Sequence, residues 1–335
     1  MPDPQIPTTI LLSDADVRTA FDWQAAVEAL RLAYAGDVSD AQFPPRTMAR
    51  GDGLWLRALS GIMPGQAVLG AKLIAASPRA QAASYLISLF DGQTMALLAL
   101  LDGNAITGFR TAATSALAAR QLSSVDAPNV AVIGSGFEAR AHLEAMARSG
   151  PLGAISVYSP RETSRTAFCE AMAAEGIVVT AADSAQAAVE VSDLIICAAR
   201  SRDETPTILG RWLRPGMTVI SIGSTLPEQR ELDPEAIARP DLIVADMVEE
   251  VAHDTGDMIA AKDAGVIFAD RLVSLTDIVS GRHPGRTDAG QIILYKSVGA
   301  AMQDLAVAHL CVERARAADI GTVIAAPILP VNKGK

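Results

Sequence analysis

The stretch Val130-Ala-Val-Ile-Gly134-Ser-Gly136-Phe-Glu-Ala139 carries the most specific chemical signature of the chain. An apolar, β-branched strand runs into GxGxxA and then into residues of helical spacing, Glu138–Arg148. In such a turn the first glycine permits tight curvature and the second lets the backbone approach a pyrophosphate. A small third residue lets helix and strand pack closely. The helix start aims unpaired N–H groups and its positive dipole end at the phosphates. Gly134, Gly136 and Ala139 therefore read as the phosphate turn of a dinucleotide site. The bland alternative is a glycine turn in any α/β protein, and the strand before it and helix after it weigh against that.

Where an acid would hold the ribose hydroxyls of NAD, the chain has Tyr158-Ser159-Pro160-Arg161, with no carboxylate before Glu162. A hydroxyl and a guanidinium suit a 2′-phosphate. Ser159 and Arg161, with Arg165 one helical turn on, thus favour NADP, while NAD and an ordinary solvated turn stay open.

Outside this region four basic or hydroxyl features stand out: Pro44-Pro45-Arg46, Gly70-Ala71-Lys72, Gly108-Phe109-Arg110-Thr111 and Tyr295-Lys296-Ser297-Val298-Gly299. Lys72 sits in an apolar strand, where a charge is costly unless it has a partner or a task. Arg110 reads as opening an Ala/Thr/Ser/Leu helix. A cation there opposes the macrodipole and needs an anion such as a substrate carboxylate. Each residue alone could be a snorkelling side chain or an ordinary ion pair. Trp55 and Met63 either line a pocket or pack the core. His142 and His309 read as structural, His253 as part of an exposed loop and His283 as part of a Gly/Pro-rich turn. No His, Cys, Asp or Glu grouping has metal-ligand spacing, so no metal is expected.

The elements that must position these groups fall into two patterns. From Val130 to Asp246, strands (Val130–Ile133, Ile155–Tyr158, Ile177–Thr180, Asp193–Cys197, Thr218–Ile222, Leu242–Ala245) alternate with helices (Glu138–Arg148, Arg161–Glu175, Ser184–Val191). Unalternating apolar runs joined by helices predict a parallel, doubly wound sheet. The flanks differ. A helix (Trp23–Tyr34) and mainly antiparallel strands (Leu54–Ala58, Ala67–Ile74, Tyr85–Phe90, Met95–Leu101) precede a helix over Thr111–Leu122. A strand (Gln291–Tyr295) and a helix from Val298 to about Asp319 close the chain. The expected fold is α/β: a Rossmann unit, 121–299, inserted in an α+β domain made of 1–120 plus 300–335.

Composition narrows the class. The 335 residues are 50% hydrophobic, enough for a sizeable core, and carry a net charge of −10. With a pI near 4.9, a nucleic-acid or anionic-membrane binder is disfavoured. The longest wholly apolar run, Met95–Leu101, is far too short to span a bilayer. The beginning, MPDPQIPTTI, lacks the basic and apolar regions of a signal peptide. Three cysteines without CxxC spacing suit a reducing compartment, so a cytoplasmic protein is expected.

The segments Leu100-Leu-Asp102-Gly-Asn-Ala-Ile-Thr107-Gly-Phe-Arg110-Thr111-Ala-Ala and Ile133-Gly134-Ser-Gly136-Phe-Glu-Ala139 resemble the ornithine cyclodeaminase/mu-crystallin family. So do Ser221-Ile-Gly223-Ser-Thr-Leu-Pro227, Arg230-Glu231-Leu232, Gly281-Arg-His-Pro-Gly285-Arg286 and Lys296-Ser297-Val298-Gly299, in family order from about Pro44 to Asp304. The resemblance implies a homodimer, with the flanking segments forming a substrate-binding and dimerisation domain around an NAD(P) domain. It implies that Arg46 and Arg110 hold a substrate α-carboxylate and that Lys72 lies at the reacting carbon and nitrogen. It also implies cofactor contacts at Thr111, at Ser135, Phe137, Glu138 and Ala139, at Ala198 and Ala199, and along Ser297-Val298-Gly299.

One departure bears on the chemistry. Where true cyclodeaminases carry the aspartate of a Gly-Gly-Asp motif, this chain has Gly223-Ser224-Thr225. A threonine takes up no proton near neutral pH. Asp246 and Glu250 follow, but no spacing places either in the pocket. The expectation is therefore an NADP-dependent reductase of an α-imino acid, with a small imino or amino acid as substrate. The alternatives are a redox-neutral ornithine cyclodeaminase or hydroxyproline dehydratase, and a non-catalytic NADPH-dependent binding protein. Ala49–Trp55 and Asp203–Arg211 are candidate loops over the pocket.

Overall fold

A computed structural model describes residues 7–65, 68–199 and 205–331. The elements in chain order begin with β1 (Thr8–Leu12), α1 (Asp14–Ala20), α2 (Trp23–Ala35), β2 (Thr47–Gly51), β3 (Leu54–Ile62), β4 (Val68–Ser77), β5 (Ala82–Asp91), β6 (Leu97–Asp102) and α3 (Asn104–Leu122). There follow β7 (Val130–Ile133), α4 (Phe137–Ser149), β8 (Ile155–Tyr158), α5 (Glu162–Ala174), β9 (Thr180–Ala181), α6 (Ala185–Glu190), β10 (Leu194–Cys197), β11 (Thr218–Ser221), α7 (Pro234–Ala238) and β12 (Leu242–Ala245). The last are α8 (Val248–Asp254), α9 (Gly256–Asp263), β13 (Leu272–Ser274), α10 (Leu275–Val279), β14 (Ile293–Lys296), α11 (Ala301–Ala317) and β15 (Thr322–Ala325). The chain divides into two compact units, residues 1–110 with 300–335, and residues 111–299.

The first unit is built on a seven-stranded sheet of order β15-β1-β6-β5-β4-β3-β2, antiparallel except where β1 runs parallel to β6. Period-two alternation gives the sheet two different faces. Leu59, Lys72, Ile74, Ile87 and Leu89 are buried, and α11 packs across β3, β4 and β5. Their neighbours Leu54, Leu56, Ile62, Leu73 and Leu86 stand exposed on the other face. Gly70 allows close approach to α11: a Cβ there would lie 2.2 Å from the Ser88 carbonyl oxygen and 3.0 Å from a Leu305 methyl.

The second unit is an eight-stranded, all-parallel sheet of order β13-β12-β14-β11-β10-β7-β8-β9. The strands β7, β10, β11, β12 and β14 are buried along their whole length. This is what β-branched runs without alternation require when both faces are covered. The order reverses between β7 and β10, the topological switch point where ligands bind in such sheets.

Several boundaries differ from expectation for physical reasons. The helix expected over Thr111–Leu122 begins at Asn104, so Arg110 lies inside α3 and not at its start. Asp102 accepts from Asn104 N at 2.8 Å and Asp14 from Ala105 N at 3.1 Å, which starts the helix earlier. The strand expected at Ile177–Thr180 shrinks to Thr180–Ala181, an edge piece. There Ile177 turns inward while Val178 stays exposed. The last helix is shorter than Val298–Asp319 at both ends, and β6 starts at Leu97 after a left-handed turn at Met95. The strand expected to begin at Ala67 starts at Val68; Ala67 lies outside the described residues. His253 belongs to helix α8, not to a loop. Ala49–Trp55 forms the β2–β3 hairpin, and Asp203 of the other loop candidate lies outside the described residues. Among the described residues no helix is long and apolar enough to cross a membrane, and no group of His, Cys, Asp and Glu could hold a metal.

Candidate functional site

Lys72 points to the helix-covered face of its sheet and is 1% exposed. Its partner is Asp304 in the first turn of α11, with Nζ 2.7 Å from Oδ1. The same oxygen accepts from Arg110 Nε at 3.0 Å. Arg110 Nη1 donates to Gln303 Oε1 at 2.6 Å, and Gln303 Nε2 donates to the buried Tyr34 hydroxyl at 2.7 Å. Arg110 thus needs no helix-end argument. From inside α3 its guanidinium meets two polar residues of α11, one of them anionic.

Lys72 is lowered from its ordinary value to about 8: burial disfavours the charged form, Asp304 opposes this, and the cations Arg110 and Arg46 add to it. The structure therefore brings Lys72, Arg110 and Arg46 into one electrostatic cluster, with Asp304 and Gln303 as members that the sequence reading missed. A signal existed: an acid and an amide, Asp304 and Gln303, in the otherwise apolar first two turns of the last helix, all of whose first eight residues are buried.

In the second unit, β7 runs into Gly134, which has φ +115. A Cβ there would come within 2.5 Å of the Ala198 carbonyl oxygen at the end of β10, so only glycine fits. Gly136 is the N-cap of α4 and makes no side-chain cap bond. Among the described residues, no atom beyond its chain neighbours lies within 4 Å of where its Cβ would stand. Ala139 is fully buried. An open space at a glycine, facing a helix start without a side-chain cap, fits a pyrophosphate.

Ser135 Oγ donates to Ser159 Oγ at 3.0 Å, tying the turn to the end of β8. Arg161 is the exposed N-cap of α5. Arg165 lies over the Tyr158 ring and donates to the Ser159 carbonyl at 2.7 Å, so it braces this turn. Phe137 is exposed, Glu138 half-buried, and Ala198 and Ala199 follow β10 at the same sheet edge. Thr111 follows Arg110 in mid-helix.

Ser297-Val298-Gly299 leaves the end of β14, and one acid holds all three. Asp246, directly after β12, accepts from Ser297 Oγ at 2.6 Å, Val298 N at 3.0 Å and Gly299 N at 2.8 Å. Spacing alone had offered no reason to place Asp246 here; the pairing of β12 with β14 supplies it.

Beneath the Gly223-Ser224-Thr225 loop lies a second buried charge network. Lys296 Nζ is 3.0 Å from Asp257 Oδ2, and donates to Ser221 Oγ at 2.9 Å and the Ser224 carbonyl at 3.0 Å. Glu231 accepts from Ser221 Oγ at 2.9 Å and Gly223 N at 2.7 Å. Burial pushes Glu231 up to about 7; Lys296 opposes this and Asp257 adds to it. Thr225 donates from its backbone and hydroxyl to Gln229 Oε1. The two carboxylates of this network, Glu231 and Asp257, are sealed and 0% exposed.

Among the other sequence candidates, His142 is buried against Ser115 and the Glu138 carbonyl. Met63 is core. Trp55 lines a cavity of about 560 Å³ with Arg50, Ala76 and Ser84. Trp55 pairs with Ala76, four residues along β4 from Lys72, or roughly 13 Å.

A doubly wound sheet with a GxGxxA turn at its switch point, in a chain whose other unit holds a buried Lys–Asp–Arg cluster, defines a dinucleotide-binding α/β protein. Residues 10–319 match the ornithine cyclodeaminase/mu-crystallin family model, and the chain belongs to that family. Among solved structures it is similar to Thermococcus litoralis Delta(1)-pyrroline-2-carboxylate reductase in complex with NADH and L-proline. The TM-score is 0.85 at 29% identity, covering 94% of this chain and 99% of that one. Alanine dehydrogenase of Archaeoglobus fulgidus is 27% identical over 323 residues, 94% of this chain and 98% of its own. Ketimine reductase mu-crystallin of Mus musculus is 29% identical over 224 residues, 67% of each chain.

Proposed function

We propose that this protein is an NADPH-dependent reductase of α-imino acids, cyclic or formed from a keto acid and an amine. The observation that carries the reading is Lys72: fully buried, paired with Asp304, flanked by Arg110 and Arg46, and titrating near 8. A proton donor is most effective when its pKa lies near the working pH. Two guanidiniums beside it suit bidentate capture of a carboxylate. Arg46 and Arg110 hold the substrate carboxylate and so orient the imine carbon. The Lys72 ammonium delivers its proton to the imine nitrogen and is left a neutral lysine; the amine results only with a hydride added at the carbon.

A reduced nicotinamide, when bound, supplies the hydride. Gly134, Ser135, Gly136, Phe137, Glu138 and Ala139 would hold its pyrophosphate, and Thr111, Ala198, Ala199 and Ser297-Val298-Gly299 would flank it. Ser159 and Arg161, with no acid at the end of β8, favour the 2′-phosphate of NADPH over NADH. Similarity to a pyrroline-2-carboxylate reductase and to a ketimine reductase supports C=N reduction. Thr225 and the sealed carboxylates beneath it speak against ornithine cyclodeamination.

The reading includes a homodimer: Leu54, Leu56, Ile62, Leu73 and Leu86 present an apolar sheet face to solvent. The similar archaeal alanine dehydrogenase is described as a dimer. Three free thiols fit the reducing cytoplasm.

The test is oxidation of NADPH and NADH by the purified protein with Δ1-pyrroline-2-carboxylate, and with pyruvate or glyoxylate plus amines. Carboxylate-dependent oxidation favouring NADPH is expected. Conversion of ornithine or a hydroxyproline without cofactor turnover would replace this reading with an eliminase. Tight NADPH binding without any turnover would replace it with a binding protein.

A further inference from the structure

Asp304 is 0% exposed, and one of its oxygens serves two cations. Oδ1 accepts from Lys72 Nζ at 2.7 Å and from Arg110 Nε at 3.0 Å. Oδ2 is buried without a hydrogen-bond partner among the described residues. An oxygen divided between an ammonium and a guanidinium holds each less firmly than it would hold either alone. The charged groups acting on Lys72 are Asp304 from α11, Arg110 from α3, and Arg46 from the segment before β2. Thr107 of α3 offers its hydroxyl at 3.5 Å. The cross-strand neighbours, Leu59 on β3 and Ile87 on β5, are apolar.

We propose that Asp304 is a positioning residue that couples carboxylate binding at Arg110 to proton uptake at Lys72. A carboxylate arriving on the guanidiniums draws Arg110 away from Oδ1, and Asp304 is left to Lys72. This rests on the reading of Arg46 and Arg110 as the carboxylate clamp. In the empty protein two guanidiniums disfavour the Lys72 ammonium, and Asp304 is shared. In the loaded protein the incoming carboxylate offsets both guanidiniums while Asp304 turns wholly to Lys72. Both changes favour the ammonium, so the proton donor charges as its substrate arrives. Linkage makes the coupling reciprocal: the carboxylate must bind more tightly where Lys72 is already protonated.

The probe is pyrrole-2-carboxylate, a planar carboxylate that cannot be reduced at C=N. It is titrated calorimetrically into the full-length protein at pH 8.5, in phosphate and in Tris, whose ionisation enthalpies differ. An uptake of roughly 0.5–0.7 proton per bound carboxylate is expected. In Asp304→Asn, which keeps the shape of the side chain, uptake at this pH should drop below about 0.2 while the carboxylate still binds. Lys72→Met serves as the zero. Binding without uptake in the native protein overturns the coupling and leaves the clamp intact. Unchanged uptake in Asp304→Asn removes Asp304 from it. No binding at all overturns the clamp and the coupling with it. Should Asp304→Asn fail to fold, ε-¹³C-lysine NMR of the native protein decides. The Lys72 midpoint must rise by at least about one pH unit on adding the probe, and a static midpoint rejects the proposal.

Discussion

Among the described residues two lysines are buried, one in each unit, and each has an aspartate within 3.0 Å. Their surroundings differ in sign. Lys72 shares its aspartate with Arg110 and has Arg46 near by, so its own charge is under pressure. Lys296 faces Asp257, the Ser221 hydroxyl and the Ser224 carbonyl, with Glu231 one hydroxyl further on. A lysine among cations is poised to release a proton. One among anions and carbonyls ties strand ends together. Burial and an ion-pair partner, which the two have in common, do not tell them apart; the charge of the next neighbours does.

The largest separation between the two should come from removing them. Lys72→Met is expected to lower imine-reduction kcat by about 10³-fold, with NADPH affinity unchanged by fluorescence titration. Normal turnover would take Lys72 out of the mechanism. In native protein kcat/KM for reduction should fall above about pH 8, as Lys72 loses its proton. Lys296→Met should instead unfold easily, losing about 3–5 kcal/mol in denaturant melts, because Asp257 is left buried without its cation. A loss confined to kcat would show that Lys296 belongs to the chemistry.

Glu231 gives a smaller, pH-dependent contrast. Its folded value is raised from 4.5 to about 7, so the folded state holds the proton more tightly and stability falls as pH rises through that window. Lys72 runs the other way: its folded value is lowered from 10.5 to about 8, and the cost of its buried charge is relieved as pH rises between them. Glu231→Gln should therefore gain about 1–3 kcal/mol on native protein between pH 5 and pH 8. A constant difference across that range would mean Glu231 does not titrate there. The smallest effect expected is at the cofactor turn. Arg161→Ala should raise the NADPH KM by about tenfold and leave NADH unchanged, and equal effects on both would return the turn to its solvated reading.

Patterns confined to a few successive residues were plain in the one-dimensional chain. Val130–Ala139 announces its strand, phosphate turn and helix because curvature, backbone approach and helix start are all local demands. The apolar strand around Lys72 likewise showed a charge that needed a reason. Helix starts were harder. The helix expected from Thr111 begins at Asn104, because Asp102 and Asp14 hold its first N–H groups from outside it.

What stayed hidden were the partners. Asp304 stands 232 residues from Lys72, and Asp246 stands 51 and more from the Ser297-Val298-Gly299 segment it holds. Buried charges are matched by whichever elements pack together, and neither spacing nor propensity records that choice. Amino-acid types alone thus established the two architectures, the phosphate turn and an out-of-place lysine and arginine. Which acid answers Lys72 and Arg110, and which one holds the Ser297-Val298-Gly299 segment, was settled by the packing of α11 on β4 and of β12 beside β14.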